Sequence, residues 1–453
     1  MSLPPEPALT AGPPPGLAAD QAALGAAAPP VRRTGRWRGL LLGLLIAVIA
    51  ISGVVLLGYV GNRIGPVALA VGVGAAVLPV PVLVSCFLWL DRYDPEPVRL
   101  LLFCFLWGAF VATGVALVVN TTAGWLFERW GISDIVVGVV VAPVIEETMK
   151  AAFPIGIFLL ARRRFSGVTD GIVFCGLSAT GFAMVENILY LGGYGYAPGA
   201  EQSGFAGGAL AVEAMFIGRV LLSGFGHPLF TSMTGIGLGI AARSADRRVR
   251  VLAPLLGLLL AMSLHATWNL MATLGQDVSL YFTLYGYFSV FVPIFLTVTG
   301  VVIWVRSWEG RLTERVLPAY AAAGWFSPPE VTALGTLGRR LSARAWARRV
   351  SGDAGATAMR GYQFAATRLA LLRDGLDRGL DNRPHQVAEA VAEERALLAA
   401  IEAYRQVFTR RDPMTPPARW DGHRYHVVFP DGVPRPVEAP PLPVVPVPFL
   451  AQR

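Results

Sequence analysis

Apolar residues dominate the chain between positions 40 and 305 and fall into eight runs that short polar loops separate. Runs of about 20 apolar residues are long enough to cross a bilayer as α-helices. The pattern therefore predicts an all-α, polytopic transmembrane helical bundle of about eight spans. The predicted spans are 40–59, 66–90, 100–119, 135–160, 171–191, 220–241, 251–274 and 285–305.

The polar and low-complexity segments divide the chain further. The predicted divisions are a disordered Ala/Pro-rich N-terminus (1–38), the eight-span membrane domain (39–305), a soluble helical region (306–410) and an extended Pro-rich tail (411–453). Within the soluble region, 358–378 and 386–408 have helical spacing and predict a helical hairpin. We expect residues 306–453 to form a cytoplasmic tail. Because nothing in this tail indicates chemistry, we expect it to dock another protein.

Composition and charge support a membrane protein. Hydrophobic residues make up 54% of the chain and charged residues 15%, whereas charged residues make up about a quarter of soluble proteins. The net charge of +8 comes from arginines beside the apolar runs, which indicates topology and a lipid partner, not nucleic acid.

The arginines are unevenly distributed between the two sides of the predicted bundle. The richer side holds Arg32, Arg33, Arg36, Arg38, Arg92, Arg99, Arg162, Arg163, Arg164, Arg243, Arg247, Arg248 and Arg250, and the other side holds Arg63, Arg129 and Arg219. Positively charged loops stay in the cytoplasm. We therefore expect a multi-pass protein of the plasma membrane with both termini cytoplasmic.

The fourth span contains ionisable residues in an apolar setting. It carries Glu146, Glu147 and Lys150, the chain's single lysine. A charge at the bilayer centre costs at least ~2.5–3.5 kcal/mol, so such residues usually pair or serve a function. Lys150 can pair with Glu146 at i,i+4 and with Glu147 at i,i+3. One carboxylate is then free to act as a base, and the spacing does not decide which.

Three later spans add polar residues at a similar depth, in the outer half of the bilayer by residue count. Glu186 and Asn187 lie in the fifth span, His227 in the sixth, and His265 and Asn269 in the seventh. If these helices pack together, their side chains form one polar pocket. A structural role, such as an ion pair or a buried histidine, is the alternative for each residue alone.

Two kinds of hydrolytic chemistry fit these residues. In the first, a glutamate and a histidine activate water while a second histidine and Asn269 stabilise an oxyanion. In the second, the histidines and one or two carboxylates hold Zn²⁺ or another divalent metal, which acidifies a bound water. A proton- or ion-coupled transporter with a Glu/His/Lys relay is the rival function, although the polar spans show no internal repeat.

Four motifs together resemble the PrsW family of intramembrane proteases, which is related to the CAAX-type protease superfamily. They are P-V-I-E-E-T-M-K (143–150), F-A-M-V-E-N-I-L-Y (182–190), His227 in G-H-P, and H-A-T-W-N (265–269). The segment D-R-Y-D-P-E-P (91–97) also resembles a family motif. CAAX-type relatives carry E-E-x-x-x-R, whereas the cation here is one residue nearer.

The resemblance implies an intramembrane metalloprotease or glutamate-dependent protease that cuts a membrane protein or peptide, with a membrane-bound anti-sigma factor as one substrate class. The expected catalytic residues are Glu146, Glu147, Lys150, Glu186, Asn187, His227, His265 and Asn269. If a metal is used, the expected ligands are Glu147, Glu186, His227 and His265.

Overall fold

The computed structural model describes residues 36–93, 95–162, 165–380, 383–408, 418–421, 423–428 and 432–438. Three groups of residues from the predicted segments lie outside the described residues: 1–35 of the disordered N-terminus, 409–410 of the soluble helical region, and 411–417 and 439–453 of the extended tail. By its internal contacts the chain divides into two units, Met1–Ala50 and Ile51–Arg453. Every contact discussed below lies within the second unit.

The membrane region is helical, as the apolar runs predict. Its α-helices are α1 (Arg36–Ile64), α2 (Pro66–Val77), α3 (Val80–Leu90), α4 (Val98–Leu106), α5 (Thr113–Arg129), α6 (Ala142–Ala161), α7 (Val168–Ile188), α8 (Ala197–Phe216), α9 (Gly226–Ala242), α10 (Arg247–Asp277), α11 (Leu280–Gly286) and α12 (Val292–Gly310). The π-helical segments between them are Trp107–Ala112, Val137–Val141, Leu189–Tyr196, Ile217–Leu222 and Tyr287–Phe291.

Within the described residues, six helical stretches are long and apolar enough to cross a membrane, which makes the chain a multi-pass membrane protein. They are Gly39–Ile64, Pro66–Leu90, Val98–Arg129, Val168–Ala242, Arg247–Gly275 and Tyr281–Ala322. The fifth and sixth predicted spans both fall within Val168–Ala242. The fourth corresponds to Val137–Val141 and α6, which carries three ionisable residues. A count of eight spans therefore stays a prediction.

Helix α7 lies in the middle of the packing, and most of its residues are buried. It packs against α9 at a close backbone approach between Gly171 and Gly235. A Cβ atom added at Gly171 would lie 1.9 Å from the Gly235 carbonyl oxygen, so no larger residue fits there. Small residues of this kind let membrane helices approach closely. The approach sets the relative position of the two helices that carry Glu186 and His227.

The region after the membrane domain begins with four helices, which are α13 (Leu312–Ala322), α14 (Pro328–Leu334), α15 (Leu337–Asp377) and α16 (Pro384–Phe408). Helices α15 and α16 pack against each other as the predicted hairpin, with Leu369, Leu398 and Ile401 in a shared apolar core. Helix α15 is interrupted at Gly352, whose φ of 64° is a left-handed conformation that favours glycine.

Three short strands follow, β1 (Ala418–Trp420), β2 (Arg424–Val428) and β3 (Pro434–Glu438). They form an antiparallel sheet in the order β1-β2-β3, with Arg419 opposite His426 and Tyr425 opposite Val437. This sheet departs from the all-α expectation. Strand pairing depends on partner strands, which the Pro-rich composition behind the predicted extended tail does not reveal.

The helices after the membrane domain contact its turns directly. Arg340 is buried and donates to the carbonyl oxygen of Tyr93 (3.4 Å), in the turn at 91–93. Arg306 lies over the ring of Trp89 at 3.6 Å. Arg243, at the end of α9, pairs with Asp374 of α15. The Arg340 and Arg243 contacts join α15 to the membrane region, and the Arg306 contact joins α12 to α3.

Candidate active site

Three charged residues lie together in the first half of α6. The helix has Pro143 in its first turn, where a missing N–H costs no hydrogen bond. Glu146, Glu147 and Lys150 are all buried, and Glu147 and Lys150 have no exposed surface. Lys150 Nζ donates to Glu147 Oε1 at 2.8 Å and to Glu146 Oε2 at 3.4 Å. Both pairings expected from helical spacing are therefore present.

Glu147 is the more fully bonded of the two carboxylates. Its Oε1 atom, besides accepting from Lys150, lies 2.9 Å from His265 Nδ1. Its Oε2 atom accepts a hydrogen bond from the Thr231 hydroxyl at 2.7 Å. A buried carboxylate needs such donors, because each lone pair left without one carries a desolvation cost. Glu147 thus neutralises Lys150 and holds His265, and has little capacity left for other partners.

Glu146 is less saturated and faces the remaining part of the pocket. Its Oε1 accepts a long hydrogen bond of 3.3 Å from Asn120 of α5. Its Oε2 accepts a long hydrogen bond of 3.4 Å from Lys150 Nζ. His265 Nε2 lies 3.8 Å from the same oxygen, and this second distance is too long for a hydrogen bond. The Oδ1 atom of Asn120 is buried and has no hydrogen-bond partner within the described residues. This buried acceptor beside Glu146 could take a hydrogen bond from a water molecule or from a polar group of a substrate.

His227 completes the pocket from the start of α9. Its Nδ1 lies 3.0 Å from Lys150 Nζ, and its Nε2 lies 2.8 Å from Glu186 Oε2. The rings of His227 and His265 are 5.1 Å apart and nearly perpendicular. Lys150 thus has three acceptors, one for each N–H of its ammonium group.

These contacts define the tautomer of each histidine. A carboxylate only accepts hydrogen bonds and an ammonium only donates them. His227 therefore carries its hydrogen on Nε2, toward Glu186, and its Nδ1 lone pair points to Lys150. His265 carries its hydrogen on Nδ1, toward Glu147, which leaves the Nε2 lone pair on the side of Glu146. Both imidazoles are held by a carboxylate and turn a lone pair into the pocket.

Proline and serine fix the backbone beneath Lys150. Pro154 lies inside α6, four residues after Lys150, and has no N–H to donate to the Lys150 carbonyl oxygen. The hydroxyl of Ser178, on α7, donates to that oxygen instead at 2.8 Å. The ring of Phe182, one turn further along α7, lies 4.1 Å from Lys150 Nζ. Helix α7 therefore holds both the backbone and the ammonium group of Lys150.

Glu186 and its neighbours form the more exposed side of the pocket. Glu186 Oε2 accepts from Arg219 Nη2 at 2.7 Å, and Asn187 Oδ1 accepts from Arg219 Nε at 3.3 Å. The guanidinium group also stacks on Tyr190, 3.4 Å from the ring centre. The exposed fraction of the side chain rises from 0% at Lys150 to 18% at Glu186 and 28% at Arg219. The pocket thus opens on the Arg219 side.

Among the described residues, Glu146, His227 and His265 form a group that could hold a metal ion, with one ligand atom of each within 4.8 Å of the other two. One carboxylate and two imidazoles are a common donor set for a catalytic zinc ion. The carboxylates that orient the two histidines are also typical of metal sites. The donor chemistry fits a divalent metal, although Lys150 would have to give up its contact with His227 Nδ1.

The structure places the predicted site residues in different layers of the pocket. Glu146, rather than Glu147 or Glu186, joins the two histidines in the group suited to a metal. Glu147 and Glu186 lie behind the histidines as their hydrogen-bond partners. Asn269 lies one turn beyond His265 and donates to the Gly138 carbonyl oxygen at 2.7 Å, so it connects α10 to segment Val137–Val141.

Three pocket residues were not identified from the sequence. Thr231 is four residues after His227, so helical spacing on one face could have indicated it. Asn120 lies just past the predicted end of the third span, and a single asparagine at such a position does not by itself indicate a site residue. Arg219 was interpreted as a topology signal, and only the packing of its helix shows that it turns toward Glu186.

The fold and the site together define a multi-pass membrane enzyme with a buried Glu/His centre. Residues 96–298 match the sequence profile of the PrsW family intramembrane metalloproteases. A relative from Bacillus subtilis (strain 168), named Protease PrsW, is 30% identical over 202 residues, which are 44% of this chain and 82% of the relative. The chain belongs to the PrsW family, and its class is that of intramembrane metalloproteases.

Two further relatives carry the same name. Protease PrsW of Clostridioides difficile (strain 630) is 36% identical over 117 residues, which are 25% of this chain and 48% of the relative. Protease PrsW of Geobacillus kaustophilus (strain HTA426) is 28% identical over 184 residues, which are 39% of this chain and 69% of the relative. No solved structure matches the chain. The family match includes every pocket residue named above and ends before α13.

Proposed function

We propose that the protein is an endopeptidase that hydrolyses a peptide bond of a membrane-anchored protein, with Glu146, His227 and His265 as the reacting centre. The observation that carries the proposal is the convergence of the three groups to within 4.8 Å. Their geometry is supported from behind, since Glu186 holds His227 and Glu147 holds His265. Rigid support of this kind is what a hydrolytic site needs to place water against a carbonyl carbon.

Glu146 is our candidate for the general base. Glu147 is saturated by Lys150, His265 and Thr231, whereas Glu146 has only long contacts. A water molecule beside Glu146 Oε2 can give up a proton to this carboxylate as it attacks a peptide carbonyl. The imidazole of His265 lies close enough to orient the same water. Lys150 supplies a positive charge in contact with both carboxylates.

As the alternative to Glu146 acting as a base without a metal, we propose that Glu146, His227 and His265 hold the metal that the family description implies, as its ligands. A divalent ion such as Zn²⁺ would supply Lewis-acid activation of water and carbonyl at this position. This ligand set replaces the one expected from the sequence, because both oxygens of Glu147 have partners and Glu186 is shared by His227 and Arg219. Zn²⁺ is favoured only by its usual preference for imidazole and carboxylate ligands.

The setting of the reaction is also a proposal. The arginine asymmetry supports an eight-span domain in the plasma membrane, with both termini and the helices after position 305 in the cytoplasm. The site would then lie in the outer half of the bilayer, which suits a membrane-bound anti-sigma factor or a similar single-span substrate. The soluble helices would be available for a cytoplasmic partner.

The test is cleavage of single-span membrane proteins, including an anti-sigma factor, after reconstitution with the purified protein in liposomes. Fragments are identified by mass spectrometry, which also locates the cleaved bond. We expect Glu146→Gln to abolish cleavage, because its amide cannot accept the proton from water. Glu128→Gln is the matched control, since Glu128 is an exposed glutamate at the end of α5.

Cleavage by the Glu146→Gln variant at the wild-type rate would exclude Glu146 as the base. A wild-type protein that cleaves no membrane protein of the set, but moves protons or ions across the liposome membrane, would support the transporter instead. Nothing in the fold or in the family match favours that transporter function.

A further inference from the structure

A groove separate from the candidate active site lies where α9 ends and α7 and α10 begin. It has a volume of about 530 Å³, and none of its lining residues belongs to the site. Helix α12 and the end of α15 complete its walls. The lining combines apolar side chains with arginines, and the residues that carry the argument are Ile240, Arg243, Trp304, Trp308 and Arg378.

The apolar lining belongs to helices of the membrane region. Ile240 of α9 is 43% exposed and Trp304 of α12 is 62% exposed, and both belong to helical stretches that are long and apolar enough to cross a membrane. Tryptophan is enriched near the ends of spans, at the level of the lipid headgroups. Exposed apolar surface at this level can be covered by the acyl chain of a lipid, whereas a soluble partner has no access to it.

The two arginines of the groove share one carboxylate. Arg243 directly follows α9, Arg378 directly follows α15, and both pair with Asp374. Arg378 makes this contact through Nε at 2.8 Å, and its side chain is 41% exposed. Its two terminal nitrogens have no hydrogen-bond partner among the described residues, so they can donate to a second oxyanion. Arg373 and Asp377 pair with each other and add no net charge.

A third guanidinium group lies beside the groove. Arg315 of α13 is 4.1 Å from the ring centre of Trp308, and Arg378 is 5.9 Å from the same ring. Arg315 is exposed and has no ion-pair partner in the part of the chain that the structure describes. Arg243, Arg315 and Arg378 therefore accompany one carboxylate, Asp374, and the groove carries a net positive charge next to an apolar surface.

We propose that the groove binds an anionic phospholipid, whose phosphodiester group contacts Arg378 and Arg315 and whose acyl chain lies along Ile240 and Trp304. Basic pockets between membrane helices are suited to such headgroups. A zwitterionic lipid fits less well, because it brings a cation of its own toward the arginines. The bound lipid connects α9 and α12 of the membrane region with α13 and α15 of the region that follows. The inference does not rest on the proposed function, since it concerns a different part of the molecule.

The test is lipid binding to the purified full-length protein, measured by native mass spectrometry in detergent. Phosphatidylglycerol and phosphatidylcholine with identical acyl chains are the two probes. Each arginine near an anionic headgroup strengthens binding by about fivefold. We therefore expect phosphatidylglycerol to bind more tightly than phosphatidylcholine by about tenfold or more. Arg315→Gln/Arg378→Gln should weaken the binding of phosphatidylglycerol by about 10–30-fold.

Arg247→Gln/Arg248→Gln is the matched control for the charge. Both residues are exposed, lie at the start of α10 beside the groove and do not line it. This variant removes the same charge from the same end of the membrane helices. It should leave the preference for phosphatidylglycerol over phosphatidylcholine nearly unchanged.

A second pair of variants tests the apolar lining. Ile240→Trp adds volume at a side chain that is already 43% exposed, so it should obstruct the acyl chain without loss of packing. Leu160→Trp is its control, since Leu160 is exposed near the end of α6 and does not line the groove. A phosphatidylglycerol with a photoreactive acyl chain should label peptides of α9 and α12 in the wild type. This labelling should be lost in Ile240→Trp and kept in Leu160→Trp.

The inference is overturned if the two lipids bind equally, or if Arg247→Gln/Arg248→Gln loses as much affinity as Arg315→Gln/Arg378→Gln. It is also overturned if glycerol 3-phosphate displaces phosphatidylglycerol as effectively as an excess of the same lipid does, because the groove would then take a soluble anion. Should the variant of Arg315 and Arg378 fail to fold, Ile240→Trp decides by itself. Unchanged labelling of α9 and α12 in that variant would reject the groove as the lipid site.

Discussion

His265 Nδ1 lies 2.9 Å from Glu147 Oε1, and this contact joins two residues that are 118 positions apart in the chain. It fixes the hydrogen of His265 on Nδ1 and turns Nε2 toward Glu146. The two adjacent glutamates of α6 thus have different contacts, and we propose that they have different tasks, Glu147 as the partner of His265 and Lys150 and Glu146 at the reacting centre. Mutations should separate these tasks.

We expect Glu146→Gln and Glu147→Gln to differ in stability although both reduce cleavage. Glu147→Gln removes the closest charge partner of the buried Lys150, and breaking a buried pair in this way costs about 3–5 kcal/mol. Glu146→Gln leaves the 2.8 Å contact of Lys150 with Glu147 intact. Thermal unfolding in detergent should therefore show a clear loss for Glu147→Gln only. Equal melting temperatures for the two variants would contradict the assignment.

The hydrogen bond from Thr231 to Glu147 Oε2 offers a second test on α9. Thr231→Val keeps the shape of the side chain and leaves one carboxylate oxygen without its donor, which costs about 1–3 kcal/mol. Thr234→Val is the matched control, because the Thr234 hydroxyl is buried on the same helix without a hydrogen-bond partner among the described residues. Unfolding measurements should show destabilisation by the first substitution and little change, or a gain, by the second.

The contact between Ser178 and the carbonyl oxygen of Lys150 depends on Pro154. We expect Ser178→Ala to destabilise the protein by about 1–3 kcal/mol, because the carbonyl oxygen then has no donor. In a Pro154→Ala background the helix N–H can reach this oxygen, so the same substitution should cost less. A double-mutant cycle on thermal stability measures the difference. If Ser178→Ala lowered the stability equally in the two backgrounds, the contact of Ser178 would not depend on Pro154.

Metal content provides a direct measurement on the proposed centre. Elemental analysis of the purified wild-type protein should give about one divalent ion per chain, in line with the donor set of Glu146, His227 and His265. The double variant His227→Ala/His265→Ala should lose this ion, and a chelator should remove both the ion and the activity from the wild type. Retention of the metal by the double variant would place its site elsewhere.

The helices after the membrane domain should show a pH dependence that comes from Glu394. Burial raises the pKa of this carboxyl, and Tyr320 donates a hydrogen bond to it. A carboxyl with a raised pKa favours the folded state most at low pH, and this contribution is lost as pH rises through the pKa of the folded state. The protection factors of amides in α16, which correct the exchange rates for their intrinsic dependence on pH, should therefore be higher at pH 5 than at pH 8. Equal protection factors at the two pH values would contradict this expectation.

Glu394→Gln should remove most of that pH dependence, because the amide does not ionise. Glu402→Gln is the control, since Glu402 is an exposed residue of the same helix that pairs with Arg405. Both variants are measured in the full-length protein.

The sequence alone determined the features that depend on local geometry. Apolar runs of sufficient length identify membrane helices whatever their neighbours are, because the bilayer requires every backbone group to be bonded within the helix. The spacing of Glu146, Glu147 and Lys150 likewise fixes their pairing, since 3.6 residues per turn bring positions three and four apart together. The membership in the family could be inferred from four motifs in order.

Only the tertiary structure decided how the charges are divided. Glu146 and Glu147 are neighbours with the same chemistry, and their contacts differ because α9 and α10 bring Thr231 and His265 to Glu147. Whether Arg219 turns toward water or toward Glu186 depends in the same way on the rotation of its segment against α7. Helix rotation and contact are set by packing between segments far apart in the chain, and no local pattern in the sequence encodes them.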